Sequence, residues 1–526
     1  MAEQTLGGGS PMTVRADGFS PAALWELLAS QAEKQPDTVA LVTSDSRLTY
    51  SELKDLVRST GSYLLSAWKP KPEQFLPVLV GFSIDSIVNV LACLCYRIPF
   101  SPLDPDTPQA RQAHLWDMLG RPAFFLAPDD VSHDSLPAEC RRIPTDQRLA
   151  AFPSADQQSI PSVQDSDDAI VIMTSGSTGT PKGVVLSWDV IDFRLHQASA
   201  SLAEHQGPGL VTSLSPLHFI GGIRHLGFLL GGRGLFRAQP SEWHPKELLR
   251  QIAHVNPTHL SLPAQLARIF GRIAESSDVF LPDVVQVTIG AESIHYEFIA
   301  GLQACVPPSV IVRHSLGSTE VSGSFVNSFQ LSSAPKAGKV PIGVPIDDGT
   351  LRLEPWSNEF PHVAEVWRSG AIASRYIGDP LHNETRFVVD EGGTRWWRSG
   401  DLVTRDDDGQ FYHFGRADDV VKVKGKLASP AETASALMGL PGVGRTIVLP
   451  DSTGNHTVLI AHVEPARGSK LSANLLREEL FTLLPEHLVP SRIFLHENLP
   501  ITPRGKIDRQ SLRNFSQGSR AESWGQ

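Results

Sequence analysis

The segment Met173–Val185, with the sequence MTSGSTGTPKGVV, combines hydroxyl and glycine residues with one lysine directly after an apolar stretch. Glycines let the backbone approach an anion closely, and the exposed N–H groups of such a turn can form an anion-binding nest. The segment is not a Walker A loop, because Pro181 precedes the lysine and Gly183 follows it. It therefore predicts a polyphosphate-binding loop, for which the expected contacts are Thr174, Ser175, Gly176, Ser177, Thr178, Gly179 and Lys182.

Three more charged groups lie in short polar motifs further along the chain. Glu320 ends the motif GSTE and offers the hard oxygen ligand that Mg²⁺ prefers. Asp401 ends the motif WRSGD and could accept charge-assisted hydrogen bonds from sugar hydroxyls. Lys506 ends the motif PITPRGK, a Pro/Gly-rich loop that can place an ammonium group without helical constraint. Each residue alone would be read as a solvated surface charge, but the ordered set favours a nucleotide site.

Alternating strands and helices must position these motifs. Short apolar strands such as Val39–Val42, Leu76–Val80 and Ala169–Thr174 alternate with stretches of helical spacing such as Pro245–Val255. This alternation predicts an α/β fold with mixed, largely parallel sheets and helices. Charged residues become dense after Phe414, where short strands and helices suggest a small mobile α+β C-terminal domain. The predicted units are a flexible tail (1–16), a large N-terminal domain (17–417), the C-terminal domain (418–515) with its hinge at Asp418, and a second flexible tail (516–526).

The composition excludes several other classes of protein. The 46 Lys and Arg residues against 57 Asp and Glu residues give a net charge of −11, which argues against broad nucleic-acid or anionic-membrane binding. Charged residues interrupt the most apolar region, Leu76–Phe100, and the N-terminus lacks the pattern of a secretory signal. Four cysteines are too few for a disulfide scaffold. We expect a cytoplasmic protein with no nucleic-acid partner and no membrane insertion.

The ordered motifs resemble those of the adenylate-forming superfamily, which comprises acyl-CoA synthetases, adenylation domains of nonribosomal peptide synthetases and luciferases. The resemblance runs from about Ser20 to Leu512 and includes a proline-rich turn, Ser101–Pro108, that looks like the one in peptide-synthetase adenylation domains. It implies ATP and Mg²⁺ as cofactors and a small carboxylic acid as substrate. The implied thiol acceptor is CoA or a phosphopantetheine carrier, and any carrier protein would be a separate chain.

The resemblance also implies roles for individual residues. Glu320 would bind Mg²⁺, Thr319 would lie beside the α-phosphate, and Asp401 and Arg416 would contact the ribose. Lys506 would swing to the reacting carboxylate, so that Lys506, Glu320 and Thr319 form the implied catalytic set. The small domain of similar enzymes rotates about the position of Asp418. The expected adenine contacts are Gly290, Ala291, Glu292 and Leu316, and the expected substrate contacts are His218, Phe219 and Gly317.

Departures from the family pattern concern the substrate. Leu316 stands where the family commonly has an aromatic residue against adenine. The segment Ser215–Gly222 lacks the aspartate that pairs with the ammonium group of an α-amino acid. Because an uncompensated ammonium group in an apolar pocket is costly, a substrate without an α-amino group is favoured. Arg224 and His225 could pair with a second acidic group of the substrate, or they could have a structural role.

The sequence thus predicts an AMP-forming ligase of the acid–thiol type. It would couple a carboxylate to AMP with loss of pyrophosphate and then transfer the acyl group to a thiol. One alternative keeps the fold and ATP but changes the activated oxyanion or the acceptor, for example to nitrite or an amine. Another is a non-catalytic binding protein derived from the family, against which the presence of Glu320, Asp401 and Lys506 argues.

Overall fold

The computed structural model gives the chain a mixed α/β architecture, as the sequence predicts. The described residues are 23–68, 74–129, 131–132, 136, 140–143, 167–175, 181–202, 209–238, 244–277, 279–290, 294–335, 338–345, 350–452, 457–466, 468–500 and 507–523. The expected tail over residues 1–16 lies outside them. Within these ranges, no helix combines the length and the apolar character required to cross a bilayer.

A nine-stranded sheet, counted over the described residues, forms the first layer. Its spatial order is β15-β14-β13-β12-β11-β9-β10-β1-β2, and its central strands are parallel. Consecutive parallel strands end at the same edge of the sheet, so the loops after β12 and β13 meet there. The strands are β1 (Val39–Val42), β2 (Arg47–Thr49), β9 (Leu210–Thr212), β10 (Gly234–Phe236), β11 (His259–Pro263), β12 (Gln286–Gly290), β13 (Ile311–Leu316), β14 (Phe325–Gln330) and β15 (Val344–Pro345).

A second sheet carries the predicted phosphate loop. Its order is β18-β8-β7-β4-β3-β5-β6, with β7 and β8 joined as an antiparallel hairpin. Strand β3 is buried along its whole length, as expected for a parallel strand covered by helices on both faces. The strands are β3 (Leu76–Leu79), β4 (Phe100–Leu103), β5 (Phe124–Leu126), β6 (Arg141–Ile143), β7 (Asp168–Ser175), β8 (Pro181–Ser187) and β18 (Arg375–Ile377).

The remaining sheets are antiparallel except that β25 and β26 pair in parallel. One sheet has the order β16-β17-β20-β19, and β21 also pairs with β20. A two-stranded hairpin and a three-stranded sheet follow along the chain. The strands are β16 (Leu351–Pro355), β17 (Val363–Arg368), β19 (Phe387–Val389), β20 (Arg395–Arg405), β21 (Phe411–Arg416), β22 (Val421–Val423), β23 (Lys426–Ala428), β24 (Val443–Asp451), β25 (Val458–Pro465) and β26 (Arg492–Leu495).

Helices cover both large sheets, and the largest buried cluster lies between them. That cluster contains side chains from strands of both sheets and from helices α1 to α3, α5 and α6. Helix α2 begins with a capping box, in which the Thr49 side chain accepts from the backbone N–H of Glu52 and the Glu52 side chain accepts from that of Thr49. The helices are α1 (Ala23–Lys34), α2 (Tyr50–Ala67), α3 (Ile84–Cys95), α4 (Gln109–Met118), α5 (Trp188–Ala200), α6 (Ile220–Leu230), α7 (Pro245–Val255), α8 (Ala264–Ser277), α9 (Tyr296–Ala300), α10 (Pro380–Arg386), α11 (Pro430–Gly439), α12 (Ala473–Leu483) and α13 (Arg509–Ser523).

A fully buried ion pair stands inside the largest cluster. Arg97, just after α3, donates two hydrogen bonds to the carboxylate of Asp192 on α5, at 3.0 and 2.7 Å. The guanidinium carbon of Arg97 also lies 4.8 Å from the ring centre of Trp188. The side chains of Arg97 and Asp192 are 0% and 1% exposed. The pair therefore joins two helices without contact to solvent.

The hairpin β22–β23 contributes to two separate buried clusters. Leu427 packs with Val363 and Leu402 of the antiparallel sheet. Val423 and Ala428 instead belong to a cluster built from residues of α11, α12 and β24 to β26. Successive side chains of a strand point to opposite faces, which explains the division between Leu427 and Ala428. The separate cluster is consistent with a small C-terminal unit, although the boundary at residue 418 stays a prediction.

The C-terminal segment differs from the expected flexible tail. Residues 516–523 continue helix α13, although their composition is polar and rich in glycine and serine. Ser516 is buried, and its hydroxyl forms hydrogen bonds with Nε2 of His462 and the carbonyl of Leu512. Docking on β25 therefore holds this helix in place, which composition alone did not indicate.

Candidate active site

The predicted phosphate loop joins β7 and β8. Its first residue, Thr174, pairs with Lys182 across the hairpin, and the Thr174 hydroxyl donates to the carbonyl of Lys182 at 3.4 Å. Gly183 is required here, because a Cβ at this residue would lie 2.6 Å from Ile377 and 2.7 Å from Val171. Strand β8 is thus packed closely between β7 and β18. The tip of the loop (Gly176, Ser177, Thr178 and Gly179) lies outside the described residues, and Ser175 is described only as part of β7.

Lys182 meets Glu320 at the base of this loop. Nζ of Lys182 lies 3.5 Å from Oε1 of Glu320 and 3.7 Å from the ring centre of Tyr376. The Tyr376 hydroxyl donates to the same oxygen of Glu320 at 3.0 Å, and Nε1 of Trp397 donates to the Tyr376 oxygen at 2.8 Å. The sequence motifs of Lys182 and Glu320, which are 138 residues apart, are therefore brought together by two aromatic residues.

The backbone on both sides of Glu320 is fixed. The backbone N–H of Ala373 donates to the carbonyl of Glu320 at 2.7 Å. Arg194 on α5 donates through Nη1 to the carbonyl of Thr319 at 2.8 Å. The Glu320 side chain is therefore held by a rigid loop, which is what a metal or phosphate site requires.

Burial sets the charge state of this cluster. Burial lowers the pKa of Lys182, and the neighbouring Glu320 carboxylate limits that decrease. Burial, reinforced by the negative charge of Glu320, raises the pKa of the Tyr376 hydroxyl well above its usual value. Tyr376 therefore remains a hydrogen-bond donor throughout the neutral pH range.

Asp401 and Arg416 form a second cluster on β20 and β21. The two residues are directly opposite in the antiparallel register, and Nη1 of Arg416 lies 3.0 Å from Oδ1 of Asp401. Nε2 of His413 lies 3.3 Å from the same oxygen. Burial raises the pKa of Asp401, but the hydrogen bonds with His413 and Arg416 outweigh it and hold that pKa below its usual value. Asp401 is therefore a carboxylate acceptor at neutral pH.

The two clusters are parts of one site. Strand β20 carries Trp397, which contacts Tyr376, and Asp401, which contacts Arg416. The charge of Glu320 also acts on Arg416, whose pKa is lowered by burial and raised to a greater extent by Asp401 and the other nearby carboxylates. Lys182, Glu320 and the Asp401–Arg416 pair thus lie near one another, and their roles toward a nucleotide stay predictions.

The expected adenine side lies at the edge where β12 and β13 end. Gly290 ends β12 and Leu316 ends β13, and Gly290 pairs with Ser315 in the parallel register. Leu316 packs beside a cluster that includes Phe325. Gly317 is exposed and approaches Gly323 closely, since an added Cβ would lie 3.0 Å from the Gly323 Cα. Ala291 and Glu292 lie outside the described residues.

The expected substrate residues stand at the start of α6. Phe219 precedes the helix and is 50% exposed, while His218 is mostly buried beside it. Nε2 of His218 lies 4.0 Å from a carboxylate oxygen of Asp104, and its buried Nδ1 has no hydrogen-bond partner among the described residues. Burial lowers the pKa of His218, and the charge of Asp104 opposes this. The imidazole therefore has one ring nitrogen available to a ligand.

The expected hinge residue is held by an arginine. Nη2 of Arg386 on α10 donates to Asp418 at 2.9 Å, and Nη1 of the same arginine lies 3.8 Å from Glu365. Nη1 of Arg509 on α13 donates to Asp419 at 2.9 Å. The segment after β21 is thus held by hydrogen bonds from α10 and from α13. Lys506 lies outside the described residues.

We expect Gly400→Ala to destabilise the protein by more than Gly393→Ala. Both glycines have a positive φ, of +72° and +81°, so each substitution carries about 1–3 kcal/mol of backbone strain. A Cβ at Gly400 would also lie 2.4 Å from Nη1 of Arg386, whereas nothing lies within 4 Å of one at Gly393. Displacing Arg386 from Asp418 adds up to ~1 kcal/mol, because Asp418 is 54% exposed. Urea denaturation of both variants measures the difference, and equal losses would contradict this steric account.

Sequence reasoning missed several members of the site. The cross-strand pairing of Asp401 and Arg416 could have been found by treating residues 395–416 as a hairpin. His413 would then have been placed on the same strand as Arg416. Tyr376 and Arg194 carry no local signal, because each acts through a contact with a residue distant in sequence. Trp397 begins the motif WRSGD, but its contact with Tyr376 could not be predicted from that motif.

Fold and site together define a class of nucleotide-dependent enzyme. The chain belongs to the AMP-binding enzyme family, whose model matches residues 28–375, more than half of its length. The family membership predicted from the motifs is thereby confirmed.

Two curated relatives align with nearly the whole chain. The isonitrile lipopeptide synthase of Streptomyces coeruleorubidus is 30% identical over 509 residues, which are 92% of this chain and 33% of that protein. The dimodular nonribosomal peptide synthase of Bacillus subtilis (strain 168) is 28% identical over 516 residues, which are 93% of this chain and 21% of that protein. The chain thus spans a third or less of the length of these relatives.

Solved structures share the fold over nearly the whole chain. The anthranilate CoA ligase AuaEII in complex with anthranoyl-AMP superposes with a TM-score of 0.78 at 17% identity, covering 95% of this chain and 98% of that one. The o-succinylbenzoate CoA synthetase MenE of Bacillus subtilis, in complex with ATP and a magnesium ion, gives a TM-score of 0.73 at 18% identity, covering 93% and 99%. These likenesses confirm the predicted fold class.

Proposed function

We propose that this protein activates the carboxyl group of a small acid with ATP, releasing pyrophosphate, and transfers the acyl group to a thiol. The observation that carries the proposal is the contact of Lys182 with Glu320 next to the Asp401–Arg416 pair. A phosphate-binding cation and a sugar-binding carboxylate bordering one region fit a nucleoside triphosphate better than either group alone. The family membership and the acyl-adenylate bound to the anthranilate CoA ligase support the same reaction.

The residues of the site would bind and orient the nucleotide. Lys182 would contact phosphate oxygens, and Tyr376 would hold its ammonium group in place through the ring face. Asp401 would accept hydrogen bonds from ribose hydroxyls. Holding the carboxylate of the acid in line with the α-phosphorus converts a bimolecular reaction into one within the complex.

The residues present fit a magnesium ion. Oε1 of Glu320 accepts from Tyr376 and Lys182, while no described residue donates a hydrogen bond to Oε2. One carboxylate together with substrate phosphates and water is the usual environment of Mg²⁺. Over the described ranges, no group of three or more His, Cys, Asp or Glu side chains could hold a metal ion without such phosphates. Mg²⁺, when bound, would neutralise charge on the phosphate oxygens.

The thiol acceptor would be CoA or the phosphopantetheine group of a carrier protein. Two solved relatives point to the two possibilities, one as a CoA ligase and the other as an artificial fusion of the Klebsiella oxytoca adenylation protein NpsA with a carrier protein. Thioester formation that depends on an added thiol would separate both from an amine acceptor. Product formation without any thiol would favour the alternative chemistry.

Pyrophosphate release across a panel of acids tests the proposal. Aliphatic, aryl, dicarboxylic and amino acids would each be supplied with ATP and Mg²⁺, with and without CoA. We expect acid-dependent release of pyrophosphate with at least one class. No release with any acid of the panel would contradict the proposed reaction and revive a binding role without catalysis.

We expect Glu320→Gln to lower the rate of acid-dependent pyrophosphate exchange by about 10- to 100-fold. The substitution removes the charge that pairs with Lys182 and would face Mg²⁺, and a hydrogen bond to a charged group contributes about 1.5–3 kcal/mol. Exchange rates at varied Mg²⁺ concentration measure the effect, with Glu391→Gln, at an exposed turn, as the control. An unchanged rate and an unchanged Mg²⁺ dependence would refute the assignment.

A further inference from the structure

Three arginines from different elements converge behind Glu320. Arg194 lies on α5, Arg224 on α6 and Arg313 on β13, and we call them the arginine cluster. Helices α5 and α6 pack at close range, because Gly227 brings α6 so near that an added Cβ would lie 2.4 Å from the carbonyl oxygen of Leu195. The hydrogen bond from Arg194 to the carbonyl of Thr319 places the cluster directly beside the predicted catalytic loop.

Two members of the cluster, Arg194 and Arg224, form no ion pair with a carboxylate among the described residues. Arg194 is 2% exposed, and its Nε and Nη2 have no hydrogen-bond partner among the described residues. Arg224 is half-buried and forms no ion pair within the described ranges. Burial, and after it the charge of Arg313, lowers the pKa of Arg224 to about 10. A buried guanidinium group without a counter-charge is costly, so an anion is expected here.

Among the described residues, the two carboxylates named near this region have other partners. Glu320, whose charge acts on Arg194, already pairs with Lys182 and Tyr376. Asp104, the carboxylate beside His218, is 41% exposed and lies 4.0 Å from that imidazole. Arg224 is five residues beyond Phe219, within the first two turns of the helix that begins at the expected acid residues. The positive charge of Arg194 and Arg224 therefore lies between the Thr319–Glu320 loop and the helix that begins at the expected acid residues.

We propose that the acid substrate carries a second anionic group, as a dicarboxylate does, and that Arg224 binds it. The inference rests on the proposed function and narrows its substrate class. An α-amino acid fits poorly, because its ammonium group would be repelled by the arginine cluster. A planar guanidinium group suits a carboxylate, to which it can donate two parallel hydrogen bonds.

Matched pairs of acids test the proposal. Succinate, glutarate, adipate and phthalate would be compared with their monomethyl esters, which keep one carboxylate and nearly the same shape. We expect the kcat/KM of pyrophosphate release to be at least tenfold higher for a diacid than for its ester. Arg224→Leu should lower kcat/KM for the diacid by about 10- to 100-fold, while leaving the ester and the KM for ATP within about twofold. Arg250→Leu, at an exposed arginine of α7, should change none of these values.

A second readout separates recognition from a structural role. If Arg224 is an unpaired charge in the free protein, Arg224→Leu should unfold at the same or a higher urea concentration than the wild type. Diacids, but not their esters, should raise the melting temperature of the wild type and not that of the variant. Equal kcat/KM values for diacid and ester, or a preference for α-amino acids, would overturn the inference about the second anionic group but not the proposed reaction. If no acid releases pyrophosphate, the proposed reaction fails, while the melting-temperature comparison still decides whether Arg224 binds a dicarboxylate.

Discussion

Lys506→Ala is expected to reduce acid-dependent pyrophosphate exchange by about 10²- to 10³-fold, the usual effect of removing one well-placed group that stabilises charge in the transition state. The residue itself lies outside the described ranges, but both ends of its loop are fixed. The backbone N–H of Asp508 donates to the carbonyl of Pro500 at 2.8 Å, which closes the loop. Three residues after Lys506, Arg509 pairs with Asp419, close to Arg416 and Asp401. This attachment fixes the start of α13, directly after the loop, beside the segment that follows β21.

The variant should fold as the wild type does, because a loop lysine contributes little to a buried core. Lys470→Ala, at an exposed lysine of the same C-terminal segment, is the matched control and should keep the full exchange rate. Equal urea midpoints for the two variants would show that the loss of activity is chemical. Full exchange in Lys506→Ala would remove this lysine from the proposed reaction.

Asp192→Ala is expected to lower the free energy of unfolding by about 3–5 kcal/mol, because it leaves the buried guanidinium group of Arg97 without the carboxylate that neutralises its charge. Arg97 and Asp192 make two hydrogen bonds with side chains that are 0% and 1% exposed, so water cannot replace the lost carboxylate. The measurement is the urea dependence of unfolding of the single variant. The double variant Arg97→Leu with Asp192→Leu should lose less, because no unpaired charge remains.

The ion pair of Asp117 with Arg121 is the matched control for this effect. Its Oδ1–Nε distance is 2.7 Å, close to that of the buried pair, but its side chains are 55% and 77% exposed. Asp117→Ala should therefore cost no more than ~1 kcal/mol. A similar loss in Asp117→Ala and Asp192→Ala would show that burial does not govern the contribution of these pairs.

The parts of the fold that sequence predicted are those with a local cause. Strand β1 and helix α7 have the predicted bounds, because periodicity and a first-turn proline define them within a few residues. The capping box at Thr49 is likewise a contact over three residues. Helix α13 was missed because burial of Ser516 against His462, a contact over 54 residues, overrides its polar composition.

The residues of the site likewise differ in whether a local sequence pattern could predict them. Lys182, Glu320, Asp401 and Arg416 were singled out from motifs, and the structure brings them together. Tyr376 joins Lys182 to Glu320 by contacts that no local pattern encodes, since it lies 56 residues from the latter. Arg224 was noted in the sequence with two open roles, and only the positions of the neighbouring arginines distinguish between them.

The packing of the hairpin β22–β23 adds a free-energy cost to any rotation about Asp418. Its side chains are shared between two hydrophobic clusters, with Leu427 on one side and Ala428 on the other. Rotating the C-terminal residues away would separate Leu427 from Val363 and Leu402 and expose its side chain to water. Full burial of such a side chain is worth about 1.5–3 kcal/mol. The burial of Leu427 therefore stabilises the observed arrangement, and the predicted rotation would require a new contact that offsets its loss.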